Sequence, residues 1–176
     1  MQREVQEVID RADQNRATFE AFCRSLSAEE LATVIPGLTW RVQDYIAHLA
    51  TIDIYVADWF EHHAARKRWR PTLEDGSPFD IDRWNESRIQ ERRAATVEDL
   101  LAEAARHRER LWAAVRSLTE EHLAAQFNFR GREITYLRYL QLWTAHDPAH
   151  TLDMLRGLPP GRRDGELDGW LSRHGM

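Results

Sequence analysis

A single cysteine, Cys23, occurs in this 176-residue chain. One thiol can neither close an intrachain disulfide nor build a multi-cysteine zinc site, so any metal must be held by histidines and carboxylates. No apolar run approaches the ~20 residues of a membrane-spanning helix, and no membrane partner is expected. The opening Met1-Gln2-Arg3-Glu4-Val5 does not begin the long apolar segment of a secretory signal, so a cytoplasmic location is expected. Positive charge is also in deficit. A net charge of −5 argues against a nucleic-acid partner, whose phosphates call for a basic face.

What is present fits one globular domain with a sizeable core: 43% of the residues are hydrophobic and 30% charged. Seven tryptophans are many for this length and predict a core or pocket with broad aromatic walls. Cys23 sits in an apolar pattern and reads as a packing thiol.

Nearly every long segment carries helical periodicity. Val5, Val8, Ile9, Ala12, Phe19, Phe22, Cys23 and Leu26 form one stripe, predicting a helix over residues 2–26. Ser27-Ala28-Glu29-Glu30 has the form of a capping box, and Pro36-Gly37 breaks the chain. A long helix follows over 40–65, with Val42, Ile46, Leu49, Ile52, Val56 and Phe60 as its stripe. Residues 66–80 read as a loop excursion. Asp80 can cap a helix carrying Ile81, Trp84, Asn85 and Ile89, and Thr96 can cap one running to Leu118. Residues 127–134 alternate around Gly131 and suggest a small hairpin or an extended connector. The last long helix is predicted over 135–155 and ends at Gly157-Leu158-Pro159-Pro160-Gly161. Four long helices give an all-α four-helix bundle over 1–160. A weakly periodic tail, 161–176, follows, in which Leu167, Trp170 and Leu171 can dock. Ser25–Ala32 is echoed by Ser117–Ala124, which is read as repeated capping chemistry rather than a duplicated unit.

The chemistry is concentrated in Trp143-Thr144-Ala145-His146-Asp147-Pro148-Ala149-His150. Residues i and i+4 share a helix face, so His146 and His150 can reach one metal ion. His48, on the flank of the 40–65 helix, can supply a third neutral nitrogen. Three such ligands leave a coordination position open for water or substrate. Pro148 stands between the pair. If the helix restarts there, Asp147 becomes its cap; if it does not, Asp147 supports a ligand imidazole or a backbone donor. The remaining histidines, His62, His63, His107, His122 and His174, read as solvated. Asn85 is a candidate substrate-orienting residue, although an exposed helical asparagine is the preferred reading. Arg88, Arg92, Arg93 and the 66–70 basic cluster can hold carboxylates of a thiol or substrate, although a solvated charged face is the preferred reading.

These motifs resemble the DinB-like superfamily, the DinB/YfiT-like metalloenzymes, over residues 5–158. The resemblance rests on Trp40 followed by Asp44-Tyr45-Ile46-Ala47-His48-Leu49, on His146-Asp147-Pro148-Ala149-His150, and on the order of the long helices. Phe79-Asp80-Ile81-Asp82-Arg83-Trp84-Asn85-Glu86 is similar to the middle segment of mycothiol-dependent maleylpyruvate isomerase-like members. The resemblance implies an up-down-down-up four-helix bundle. It also implies a divalent metal, zinc or nickel being typical, on His48, His146 and His150. Members with known activity often use low-molecular-weight thiols, as S-transferases or thiol-dependent isomerases, and homodimers are common. The expected function is therefore metal-dependent chemistry on a small-molecule substrate. The alternatives are a metal-dependent hydrolase, or a binding or resistance protein without turnover.

Overall fold

The computed structural model describes residues 2–176. Its contacts group into two units. One comprises the segments up to Tyr45 and from Gln126 onward; the other is Ile46–Ala125. The divide falls inside one continuous helix, α3 (Val42–Ala64).

In the first unit, α1 (Gln2–Arg24) buries Val5, Val8, Ile9, Ala12, Phe19, Phe22 and Cys23, the predicted stripe. Burial pushes the Cys23 thiol well above its ordinary pKa, so it stays protonated and serves as packing. The short α2 (Ala28–Ala32) starts at Ser27, whose hydroxyl and the Glu30 carboxylate satisfy each other's backbone N–H groups in a full capping box. Asp44, in the first turn of α3, accepts from the Arg41 backbone N–H (2.8 Å) and grips the Arg41 guanidinium. This buried carboxylate therefore fixes where α3 begins and, with it, the direction of Tyr45 and His48.

The predicted hairpin forms. β1 (Gln126–Phe129) pairs antiparallel with β2 (Arg132–Thr135) across Arg130 and Gly131, both left-handed at φ 52° and 82°. Positive φ at both central residues is what a two-residue hairpin turn of type I′ requires.

The last long helix is not continuous. α7 (Tyr136–Trp143) stops, and α8 (His146–Leu155) restarts two residues later; both pack on α1. The tail is ordered: α9 (Gly165–Ser172), capped by Asp164, buries Leu167, Trp170 and Leu171.

In the second unit, α3 runs beside α5 (Val97–Arg116), while α4 (Ile81–Glu91) starts at the predicted cap, Asp80. α5 starts at Thr96, as its capping box predicts. Arg108 and Asp53, both buried, meet at 2.6 Å. The His107 Nδ1–H donates to the Ala50 carbonyl at 2.7 Å. Further out, Arg110 joins Asp58 and Glu61. The loop excursion is closed by a bridge between Thr72 and Pro78. It brings Trp69 and Phe79 onto Tyr55, with ring centroids 4.7 and 4.9 Å away, and Trp84 of α4 completes the cluster. Burial there lifts the Tyr55 hydroxyl to about 12. α6 (Glu120–Ala124) is the second copy of the capping chemistry, with Thr119 and His122 as its box.

Candidate metal site

The break between α7 and α8 decides the local geometry. Pro148 is the third residue of α8, and the first α-helical bond of that segment runs from the Ala149 N–H to the Ala145 carbonyl at 2.9 Å. The first N–H groups of any helix lack intrahelical partners, so a proline at this position removes a donor the helix does not use. The restart precedes His146 rather than falling at Pro148, and His146 and His150 stay one turn apart in the same segment.

Asp147 is not the cap. The N-cap is Ala145, which makes no side-chain bond. Instead, the Arg16 guanidinium grips the buried Asp147 carboxylate through two nitrogens, at 2.9 and 3.0 Å. In a continuous helix the Thr144 carbonyl would turn to residue 148, and Pro148 has no N–H to offer. The Asn15 side-chain amide donates to that carbonyl at 2.7 Å. Asn15 Oδ1 accepts in turn from the Trp170 indole (2.9 Å) and from His174 Nε2 (3.1 Å). One buried asparagine thus ties α1, the helix break and the tail together. Asn15→Ala is expected to destabilise the protein by about 3 kcal/mol, because it strands several buried polar groups at once. A urea midpoint corresponding to less than about 1 kcal/mol of loss would refute this bracing role.

The two imidazoles of α8 converge. His146 and His150 place their Nε2 atoms 3.2 Å apart. Asp153 lies 3.2 Å from His150 Nδ1, and a carboxylate accepts, so this contact puts the ring proton on Nδ1 and leaves the Nε2 lone pair facing His146. The Trp143 ring stacks on His146 at 4.3 Å and 15°, and Tyr45 packs against His150 at 5.3 Å. His48 follows Tyr45 by three residues on α3, on the same face one turn along, and is 4% exposed. Its ligand atom and those of His146 and His150 all lie within 4.8 Å of one another.

The spacing of the α8 pair fits a cation. Two nitrogens each ~2.1 Å from one ion stand about 3.0–3.4 Å apart for right-angle to tetrahedral geometry, and the His146–His150 spacing falls in that range. The donors are neutral imidazoles, at least one held in the required tautomer by a carboxylate. The histidine triad can therefore bind a metal.

A family model for the DinB superfamily matches residues 11–154. The chain belongs to the DinB superfamily. Solved structures share its fold. YfiT from Bacillus subtilis, described as a probable metal-dependent hydrolase with an unusual four-helix bundle topology, aligns with a TM-score of 0.65 at 19% identity. The alignment covers 97% of this chain and 87% of that one. The mycothiol-dependent maleylpyruvate isomerase aligns with a TM-score of 0.65 at 14% identity over 85% of this chain; the alignment covers 60% of the isomerase's length. A DinB-like protein from Bacillus subtilis, YjoA, aligns at 0.52 and 16% identity, over 97% of this chain and 93% of that one. No curated protein sequence matches the chain. The all-α bundle read from periodicity is thus the fold of a DinB superfamily member.

Other expectations need correction. None of the five histidines read as solvated is fully exposed. His62 Nδ1 donates to the Asp58 carbonyl at 2.7 Å, and His63 Nε2 to the His122 carbonyl at 3.0 Å. His174 is drawn into the Asn15 network, where burial and the nearby Arg11 and Arg173 lower its pKa. Helical projection shows which face a residue occupies, but not which neighbouring chain covers it. Asn85 is buried rather than exposed, with no hydrogen-bond partner for its Oδ1. Arg88 and Arg92 are taken up by carboxylates: Arg88 by Glu74 and Glu91, Arg92 by both oxygens of Glu103 at 2.6 and 2.8 Å.

Periodicity and spacing do not single out Asn15 or Asp153. Arg16 left a signal, since it interrupts the apolar stripe of α1 between Ala12 and Phe19, just as Arg108 interrupts α5 between Ala104 and Leu111. A charge on a buried stripe requires a buried partner.

Proposed function

We propose that this DinB superfamily member is a divalent-metal-dependent enzyme that joins or rearranges small electrophiles with a low-molecular-weight thiol. We place it in the cytoplasm as a homodimer, with zinc or nickel on His48, His146 and His150. The observation that carries the proposal is the convergence of three imidazoles, one of them the buried His48, within 4.8 Å. A divalent ion held by neutral imidazoles keeps its full charge, and so favours a thiolate or hydroxide at neutral pH.

The chain's own residues do the rest. Asp153 holds the His150 proton on Nδ1, away from the ligand face. Trp143 and Tyr45 hold the His146 and His150 rings in place from the side. Arg16, by neutralising Asp147, keeps α8 seated on α1. Asn85, on α4, presents a buried carbonyl oxygen able to accept a hydrogen bond, and we assign it the orientation of substrate.

The description of YfiT as a probable metal-dependent hydrolase favours a second reading, hydrolysis at the same three histidines. Protein purified without a polyhistidine tag separates the readings. Its metal content is measured first, and turnover is then followed with glutathione, bacillithiol or mycothiol against a panel of electrophiles and of esters and amides. Turnover requiring both metal and thiol is the expected result. Hydrolysis without thiol would transfer support to the second reading. Stoichiometric metal with no turnover in either panel would leave a small-molecule binding protein.

A further inference from the structure

The basic cluster after α3 has a structural setting that its sequence does not suggest. α3 ends in a Schellman motif: the Arg66 N–H reaches the His63 carbonyl and the Lys67 N–H the His62 carbonyl, both at 2.9 Å. The residue that turns left-handed there, at φ 53°, is Arg66, where glycine is the usual occupant. Arg66, Lys67 and Arg68 then line a pocket of about 420 Å³ with His63, His122 and Glu121. Three cations face one carboxylate, in a chain whose net charge is −5.

Cations after a helix C-terminus ordinarily complement the helix dipole, and charge alone would end the matter there. His122 adds an independent observation. The Thr119 backbone N–H donates to His122 Nδ1 at 3.2 Å. That makes Nδ1 the acceptor and places the proton of the neutral ring on Nε2. His122 Nε2 is buried and has no hydrogen-bond partner. A buried N–H left unmet is costly, and here it belongs to a residue that lines a cationic pocket. His63 fixes the arrangement, donating from its own Nε2 to the His122 carbonyl and packing edge-on against the His122 ring at 5.2 Å.

We propose that this pocket binds a small dianionic oxyanion, a phosphate or phosphate monoester. His122 Nε2–H donates to one oxygen, and Lys67 and Arg68 neutralise the charge. Arg66 is oriented at the rim by its 2.8 Å pair with Glu121. The volume suits a small molecule. The site is separate from the histidine triad: His63 lies fifteen residues beyond His48 on one helix, or about 22 Å along its axis.

Calorimetric titration of the full chain with inorganic phosphate tests the proposal, with sodium chloride at matched ionic strength as the control. Saturable binding is expected, together with a shift of the His122 Nε2–H resonance. The variants are His122→Glu, which preserves the capping box and so the fold, and Lys67→Ala/Arg68→Ala. Each is expected to weaken binding more than tenfold while keeping the wild-type melting transition. His48→Ala should leave the His122 shift unchanged, which separates this site from metal-bound phosphate. No saturable heat, an equal response to chloride, or undiminished binding by His122→Glu would overturn the proposal.

Discussion

Arg16→Met is expected to cost about 3–5 kcal/mol of folding stability. The guanidinium and the Asp147 carboxylate have side-chain exposures of 7% and 3%. Removing one partner leaves a charge in a medium that solvates it poorly, and that uncompensated charge accounts for most of the loss. The arginine stem also packs its charged end over the Phe19 ring at 5.6 Å, a contact methionine only partly replaces. The double variant Arg16→Met/Asp147→Leu removes both charges and should recover most of the deficit, since an apolar pair of similar volume often matches a buried ion pair. Urea unfolding of the two single variants and the double variant measures this. A single variant within about 1 kcal/mol of the wild type would show that water reaches the pair and that it does not hold α8 to α1.

The second large effect concerns metal affinity. His150→Ala removes one of three ligands and should weaken zinc or nickel binding more than ~100-fold, beyond the range of changes made behind a ligand. Asp153→Asn keeps the shape of the side chain but gives up the carboxylate that holds His150 Nδ1–H. It should fall in the ~10–100-fold range, with stoichiometry intact. Competition with a chelating dye would rank the two. Equal, small losses would mean that the histidines take up metal adventitiously, and the catalytic reading would fall with them. Neither substitution touches the Arg16–Asp147 pair, so the stability and affinity experiments report on separate properties of α8.

Local rules carried much of the reading. Ser27, Asp80, Thr96 and Thr119 all cap helices, as their spacing to the following acceptor or donor implies. The stripe of α1 is buried residue for residue. Such features are legible because caps and stripes depend on neighbours three or four positions away. The α7–α8 break was less legible. Pro148 marked the region and denies the Thr144 carbonyl its helical partner, but the donor that replaces it comes from Asn15, far away in the chain. Likewise, the fate of His63 and His122 depended on the end of α3 meeting α6, 59 residues later.

By itself the sequence determined an all-α chain, the stripes and caps of its helices, and three histidines on helix flanks, because periodicity and capping are set by residues close in the chain. Only the tertiary structure decided that those histidines converge, that Asp147 answers to Arg16, and that the basic run after α3 lines one pocket with His122. Each of these depends on which distant backbone or charge arrives to replace the water a polar group gives up on burial.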